Sequence, residues 1–91
     1  GLLLQRAQQA ADAGALGEAR AFCQSLLAKD AELAAAWFLL GMIEAAGGDL
    51  DAADQAFARA SYLDRDHQDA LLHRAALAER RGWTAQAAQL R

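Results

Sequence analysis

AAAWFLLGMIEAAGGD, Ala34 to Asp49, carries large apolar residues all round the helix that it predicts. At helical spacing, Trp37, Leu40 and Gly41 share one face, Phe38 and Met42 a second, and Leu39 and Ile43 a third. A helix resting on a single core keeps a polar side, and this one hardly does. It must be packed by other helices on most of its circumference. What surrounds it is decided by the sequence on either side.

GALGEARAFCQSLLAKDAELAAAW, from Gly14, lines up with GDLDAADQAFARASYLDRDHQDALL, from Gly48. Gly14 matches Gly48, Leu16 matches Leu50, Ala19 matches Ala53, Asp30 matches Asp64 and Ala36 matches Ala70, each at an offset of 34 residues. A third copy begins with Gly82, Thr84 and Ala87 in the same frame. A period of this length marks a repeat architecture, in which each unit buries its apolar face only by stacking on the next. Each period holds two helical stretches with glycine between them, where a helix end favours a left-handed residue. The spacing predicts helices at about 2–13, 17–29, 32–46, 50–62, 67–81 and 85–91, in repeats of about 1–33, 34–67 and 68–91 of a single domain. Asp49 is placed to cap the fourth helix and Asp66 the fifth.

Composition agrees. Ala, Leu, Gln, Glu and Arg dominate the 91 residues, Pro and Val are absent, and Ile and Thr nearly so. That argues for helices and against strands. The length allows one small domain. A net charge of −3 gives no electrostatic footprint for nucleic acid. The longest apolar run, Leu33 to Ile43, has eleven residues. A membrane span needs about 20, so no membrane insertion is expected. The lone Cys23 excludes an internal disulfide and suits a reducing, cytoplasmic compartment. The chain opens on Gly1 rather than Met, and is expected to be a piece of a longer protein.

The repeat resembles the tetratricopeptide repeat, or TPR. Trp37, Leu40, Gly41, Gly48, Ala53, Phe57 and Ala60 stand at that family's signature places, and Leu3, Ala7, Ala19 and Cys23 do so more weakly in the first copy. Small Gly41 and Ala53 suit a close helix crossing, and large Trp37 and Phe57 suit the space beside it. Glu44 departs from the pattern where an aromatic is usual, and Ala31 and Arg65 depart where Pro is. The resemblance implies an all-α, right-handed superhelix of stacked antiparallel helix pairs, about three repeats with the last incomplete.

The stretch from Ala60 is similar to the C-terminal repeats of CheR-type chemotaxis-receptor methyltransferases. The matching residues are Tyr62, Leu63, Asp64, Asp66, His67, Ala70, Leu71, Leu77, Ala78 and Gly82. This implies a parent enzyme using S-adenosylmethionine, with its catalytic domain outside this stretch. No methyl-donor motif occurs here, so no cofactor is expected for this chain. The implied role is recruitment or regulation near a chemoreceptor or response regulator.

In the repeat frame, Ala35, Phe38, Met42, Ala45 and Ala46 line the inside of the superhelix, the surface on which such arrays bind partners. The equivalent positions are Leu4, Gln8, Ala11 and Asp12 before it, and Asp69, Leu72, Ala76, Glu79 and Arg80 after it, with His73 at the rim. The expected binding surface, Leu4, Gln8, Phe38, Met42, Asp69, Leu72, His73 and Ala76, is apolar in the middle and polar at the ends. It suits a protein or peptide segment with one or two apolar anchors. The competing reading packs Phe38 and Met42 onto neighbouring inner helices of a narrow groove. If exposed, the same residues favour self-association. A chaperone-type carboxylate clamp would need Lys, Asn and Arg where Leu4, Gln8 and Met42 stand.

Other motifs read as structural. Cys23, at a core position, is a small hydrophobe with no basic partner nearby. His67 and His73 are six residues apart, turned about 240° on a helix, so they cannot share a metal, and no metal site is expected. Gly47-Gly48 follows a helix and lacks the Lys of a phosphate loop. Asp49, Asp51 and Asp54 favour the positive end of a helix. Arg74, Arg80, Arg81 and Arg91 read as a solvated face or a contact with an acidic partner. The sequence therefore points to a non-catalytic interaction module, with no catalytic residues of its own. The alternative is a structural or oligomerisation part of another scaffold.

Overall fold

The structure, a computed structural model, describes residues 2–89, with side chains described from Leu2 to Gly82. Those residues form five α-helices: α1 (Leu2–Asp12), α2 (Leu16–Lys29), α3 (Ala34–Ala46), α4 (Leu50–Leu63) and α5 (Gln68–Gln89). The fold is all-α, with no strand among the described residues. α3 packs most extensively on α4, α1 on α2, and α4 on α5, while α3 also contacts α2 and α1. The links between α1 and α2 and between α3 and α4 hold three residues each. Helices this long can touch along their lengths across so short a link only by running antiparallel.

The radius of gyration is 13.8 Å, against about 12 Å for a compact domain of this length. The principal extents are 47 × 29 × 18 Å, so the helices form an elongated array.

The 34-residue recurrence in the sequence is also a recurrence in the backbone. Gly14 and Gly48 both have positive φ, +80° and +91°. The amide of Gly14 donates to Ala11 O and that of Ala15 to Ala10 O; 34 residues on, Gly48 donates to Ala45 O and Asp49 to Glu44 O. Each pair closes a helix end whose carbonyls would otherwise lack partners. Asp30 and Asp64 end α2 and α4 in extended conformation, at φ −146° and −132°. Their amides donate to Leu26 O and Ala60 O, and their carboxylates accept from the amides of Glu32 and Asp66 at 3.0 and 3.1 Å. These Asp turns bend the chain where the resembled pattern has Pro. At the first junction, Trp37 Nε1 also donates to Ala31 O at 2.8 Å.

Burial keeps the same period. Ala19 and Ala53, Cys23 and Phe57, and Ala36 and Ala70 are buried pairs 34 apart, as are Ile43 and Leu77. One core joins Ala7 of α1, Ala19 and Cys23 of α2, and Leu39 and Ile43 of α3. A second joins Ala53 and Phe57 of α4 to Leu77 of α5, with Phe38, Ala45 and Leu50 packed on it. The α3 stretch is therefore apolar all round because it lies between both cores.

Three expectations are corrected. α5 is a single helix through Gly82, so the turn expected there and the separate sixth helix at 85–91 do not form; residues 90 and 91 lie outside the described ones. Gly82 does not take a positive φ. Its neighbours explain this: Trp83 stands where Asp49 caps α4, and Thr84 stands where Leu50 packs on the core. Second, Asp66 does not cap α5; His67 Nδ1 accepts the amide of Ala70 at 3.2 Å. Third, the boundaries shift slightly, most at α3, which begins at Ala34 rather than 32.

Gly41 and Gly82 are both helical glycines in opposite surroundings. A Cβ on Gly41 would lie 2.6 Å from Cδ1 and Cε1 of the fully buried Phe57 ring. A Cβ on Gly82 would meet nothing within 4 Å. Gly41→Ala is expected to cost about 1–2 kcal/mol net, overpacking exceeding the gain in helix propensity. Gly82→Ala is expected to add about 0.5–1 kcal/mol, since it replaces a mid-helix glycine in open space. Urea denaturation measures both; a loss at Gly82 would show a turn there instead of a helix.

Candidate functional site

α3 presents two opposite faces to two hollows. On one, Ala35, Phe38, Leu39 and Met42 meet Gln8 and Asp12 of α1 and His67, which caps α5, around about 320 Å³. On the other, Trp37, Leu40 and Glu44 meet Arg20 and Gln24 of α2 and Ala52, Gln55, Ala56 and Arg59 of α4, around about 460 Å³.

The first hollow gathers three of the residues expected to bind a partner: Gln8, Phe38 and Met42. Met42 is 41% exposed, and its flexible thioether can follow varied shapes. Phe38 is less open than an anchor pocket would leave it. It is half-buried, its ring centroid 5.5 Å from Phe57, 4.6 Å from His67 and 5.3 Å from His73. His73 also stacks on Phe57 at 5.2 Å and 20°. Phe38 is thus the wall of an aromatic cluster, with Met42 more accessible beside it. His67 and His73 come together on this ring, which the angular separation on one helix did not suggest. His67 precedes α5 as its cap and so escapes the helical spacing.

The other expected residues are dispersed. Leu4 is half-buried and packs on the first core. Leu72, 66% exposed, borders a separate hollow of about 280 Å³ with Gln68 and Leu71. Asp69 borders a fourth, of about 380 Å³, with Asp64, Asp66, His67 and Gln68. Ala76 is exposed on α5. Sequence reasoning missed His67 as a lining residue and Phe57 as the floor of the aromatic cluster. It missed the second hollow too, which Trp37 and Leu40 line with residues of α2 and α4.

Glu44, which departs from the resembled pattern, has a partner, and so do two acids near the start of α4. Glu44 accepts from Arg20 Nε at 2.5 Å, joining α3 to α2. Asp54 accepts from Arg74 Nε at 3.1 Å, and Asp51 from Arg81 Nη2 at 2.8 Å, joining α4 to α5. The first turn of α4 is therefore an interhelical contact as well as a capped end; Asp49 accepts the amide of Ala52 at 3.1 Å. Such half-exposed pairs contribute about 0–1 kcal/mol each. They fix the setting of adjacent helices more than they stabilise them. Arg91 lies outside the described residues.

No polar or charged residue is buried among those described, and no group of three or more His, Cys, Asp or Glu among them could hold a metal ion. Cys23 is fully buried, and burial pushes its thiol pKa up from 9.0 to about 11. That is the opposite of what a nucleophile needs. No described helix is long and apolar enough to cross a membrane.

No protein-family model matches the chain, and no solved structure does. It is 39% identical over 72 residues, 79% of its length, to a protein of Pseudomonas aeruginosa described as "Probable biofilm formation methyltransferase WspC". It is 35% identical over 88 residues, 97% of its length, to a Pseudomonas putida protein with the same description. The matches span 17% and 21% of those relatives, so the chain corresponds to about a fifth of each.

The raised Cys23 pKa has a pH signature. The folded chain keeps the thiol proton that the unfolded chain releases above pH 9. The associated stability is complete below about pH 9 and is lost as pH rises toward about 11, a change of about 2 kcal/mol. Urea midpoints across that range should fall more steeply for the native sequence than for Cys23→Ala; parallel curves would show that the thiol is solvated.

Proposed function

We propose that this chain is a TPR-type, non-catalytic interaction module of a CheR-type protein methyltransferase, and that it recruits or positions the enzyme by binding a protein segment. The observation that carries this reading is the hollow in which Gln8 and Asp12 of α1 face Phe38 and Met42 of α3 beside His67. Apolar at the centre and polar at the rim, it has the chemistry of a groove for a helix or extended peptide with one apolar anchor.

Two further observations support it. Burial, turn geometry and backbone hydrogen bonding recur every 34 residues, the period of the TPR helix pair. Both relatives are described as methyltransferases, and the chain corresponds to a small part of each. A stretch of helix pairs with a buried, high-pKa thiol and no buried charge among its described residues suits the recruiting part of such an enzyme better than the part that transfers the methyl group. Met42 is the anchor contact, Gln8 and Asp12 supply polar rim groups, and Leu72, Asp69, His73 and Ala76 of α5 extend the surface. The partner is a chemoreceptor or a response regulator, encountered in the cytoplasm.

The test is calorimetric titration of the chain with a chemoreceptor cytoplasmic fragment and with a response regulator of the same organism. Met42→Glu should weaken binding of one of them by about tenfold or more, the equivalent of about 1.4 kcal/mol. Gln24→Ala, in the hollow on the other face of α3, should leave it unchanged. Binding that ignores Met42 and depends on Gln24 would overturn this assignment.

A further inference from the structure

The hollow on the face of α3 away from Phe38 and Met42 has a chemistry of its own. From α3 it is lined by Trp37 and Leu40, both half-buried, from α2 by Arg20 and Gln24, and from α4 by Gln55 and Arg59. The indole N–H of Trp37 already donates to Ala31 O at 2.8 Å, so Trp37 offers the hollow its apolar ring.

The charge here runs against that of the chain. The chain carries −3, yet the hollow holds two guanidiniums, Arg20 and Arg59, against the one carboxylate of Glu44. That carboxylate is already engaged: the Glu44 side chain is only 13% exposed and accepts from Arg20 Nε at 2.5 Å. The bond fixes the Arg20 guanidinium in place and leaves its terminal N–H groups over. Arg59 is exposed and joined to no acid among the described residues; its guanidinium lies 5.8 Å from the ring centroid of Tyr62 on its own helix. Guanidinium forks recognise carboxylates through paired N–H donors. Gln24 and Gln55 are exposed on the two flanking helices, and each side-chain amide carries both donors and an acceptor, the complement of a main-chain amide.

We propose that this hollow docks an acidic peptide segment of a partner protein. An aromatic side chain of the segment lies against Trp37 and Leu40, and a neighbouring Asp or Glu meets Arg20 and Arg59. A bare anion would satisfy the arginines and leave the Trp37 and Leu40 surface in water. A purely apolar segment would cover that surface and cut the arginines off from their hydration. A segment with a ring beside a carboxylate uses both, and the ring also gains from the adjacent guanidiniums. The site is separate from the hollow at Phe38 and Met42, so the chain has room for two segments of different chemistry, one on each side of α3.

Three dye-labelled peptides test this: one with a phenylalanine flanked by aspartates, one with lysines in place of the aspartates, and one with alanine in place of the phenylalanine. In fluorescence anisotropy the first should bind the chain about tenfold or more tightly than either of the others. Arg59→Glu should weaken that binding by a similar factor with unchanged far-ultraviolet circular dichroism, since Arg59 is exposed and its ring contact lies within α4. Met42→Glu should leave it unchanged, which keeps this result apart from the fate of the other hollow. The proposal is overturned if the three peptides bind alike or none binds, or if Met42→Glu abolishes binding, which would put the peptide on the opposite face. Displacement of the first peptide by an equal concentration of inorganic phosphate would reduce the hollow to an anion site and overturn it too. So would a dimer in light scattering that Arg59→Glu dissolves, by giving the hollow to a second copy of the chain.

Discussion

The array depends on one close approach: the Phe57 ring of α4 seated against the bare backbone of α3 at Gly41. No side chain larger than hydrogen fits between them. The contact fixes the distance between the two helices and brings Phe57 under Phe38 and His73. From there the second core reaches Leu77 of α5. The first repeat divides the volume differently, with the larger Ala7 where Gly41 stands and the smaller Cys23 where Phe57 does; Ala7, Cys23 and Phe57 are all fully buried. One helix-pair geometry is thus packed with two different distributions of volume, as is expected when total fill matters more than residue identity.

Much of this was legible in the sequence because the repeat frame specifies faces. Glycines at 14 and 48 mark positive-φ turns, and alanines at 19 and 53 mark close crossings. The apolar circumference of α3 follows from its place between two cores. What the frame does not specify is whether a neighbour is there to use a face. Gly82 has the period of a turn residue, yet it lies inside α5, because the residues after it lack the cap and the apolar anchor that make the turn hold at Asp49 and Leu50.

The candidate site was legible in its centre and blurred at its edges. Gln8, Phe38 and Met42 meet as their positions imply. His67 enters from a loop, where helical spacing carries no information. Arg20 and Glu44 bridge two helices through flexible side chains whose reach a register cannot fix. The hollow that Arg20 and Glu44 line with Trp37, Leu40, Gln55 and Arg59 draws on three helices, α2, α3 and α4, so no single helical register outlines it.

The bends at Asp30 and Asp64 carry a kinetic consequence. Each is set by a carboxylate accepting an amide two residues on, a bond that forms as fast as the local chain moves. With no proline anywhere in the sequence, no imide isomerisation lasting tens of seconds stands between the unfolded chain and its helix junctions. The pace of refolding is left to the docking of one helix pair on the next, a step between segments adjacent in sequence and therefore quick.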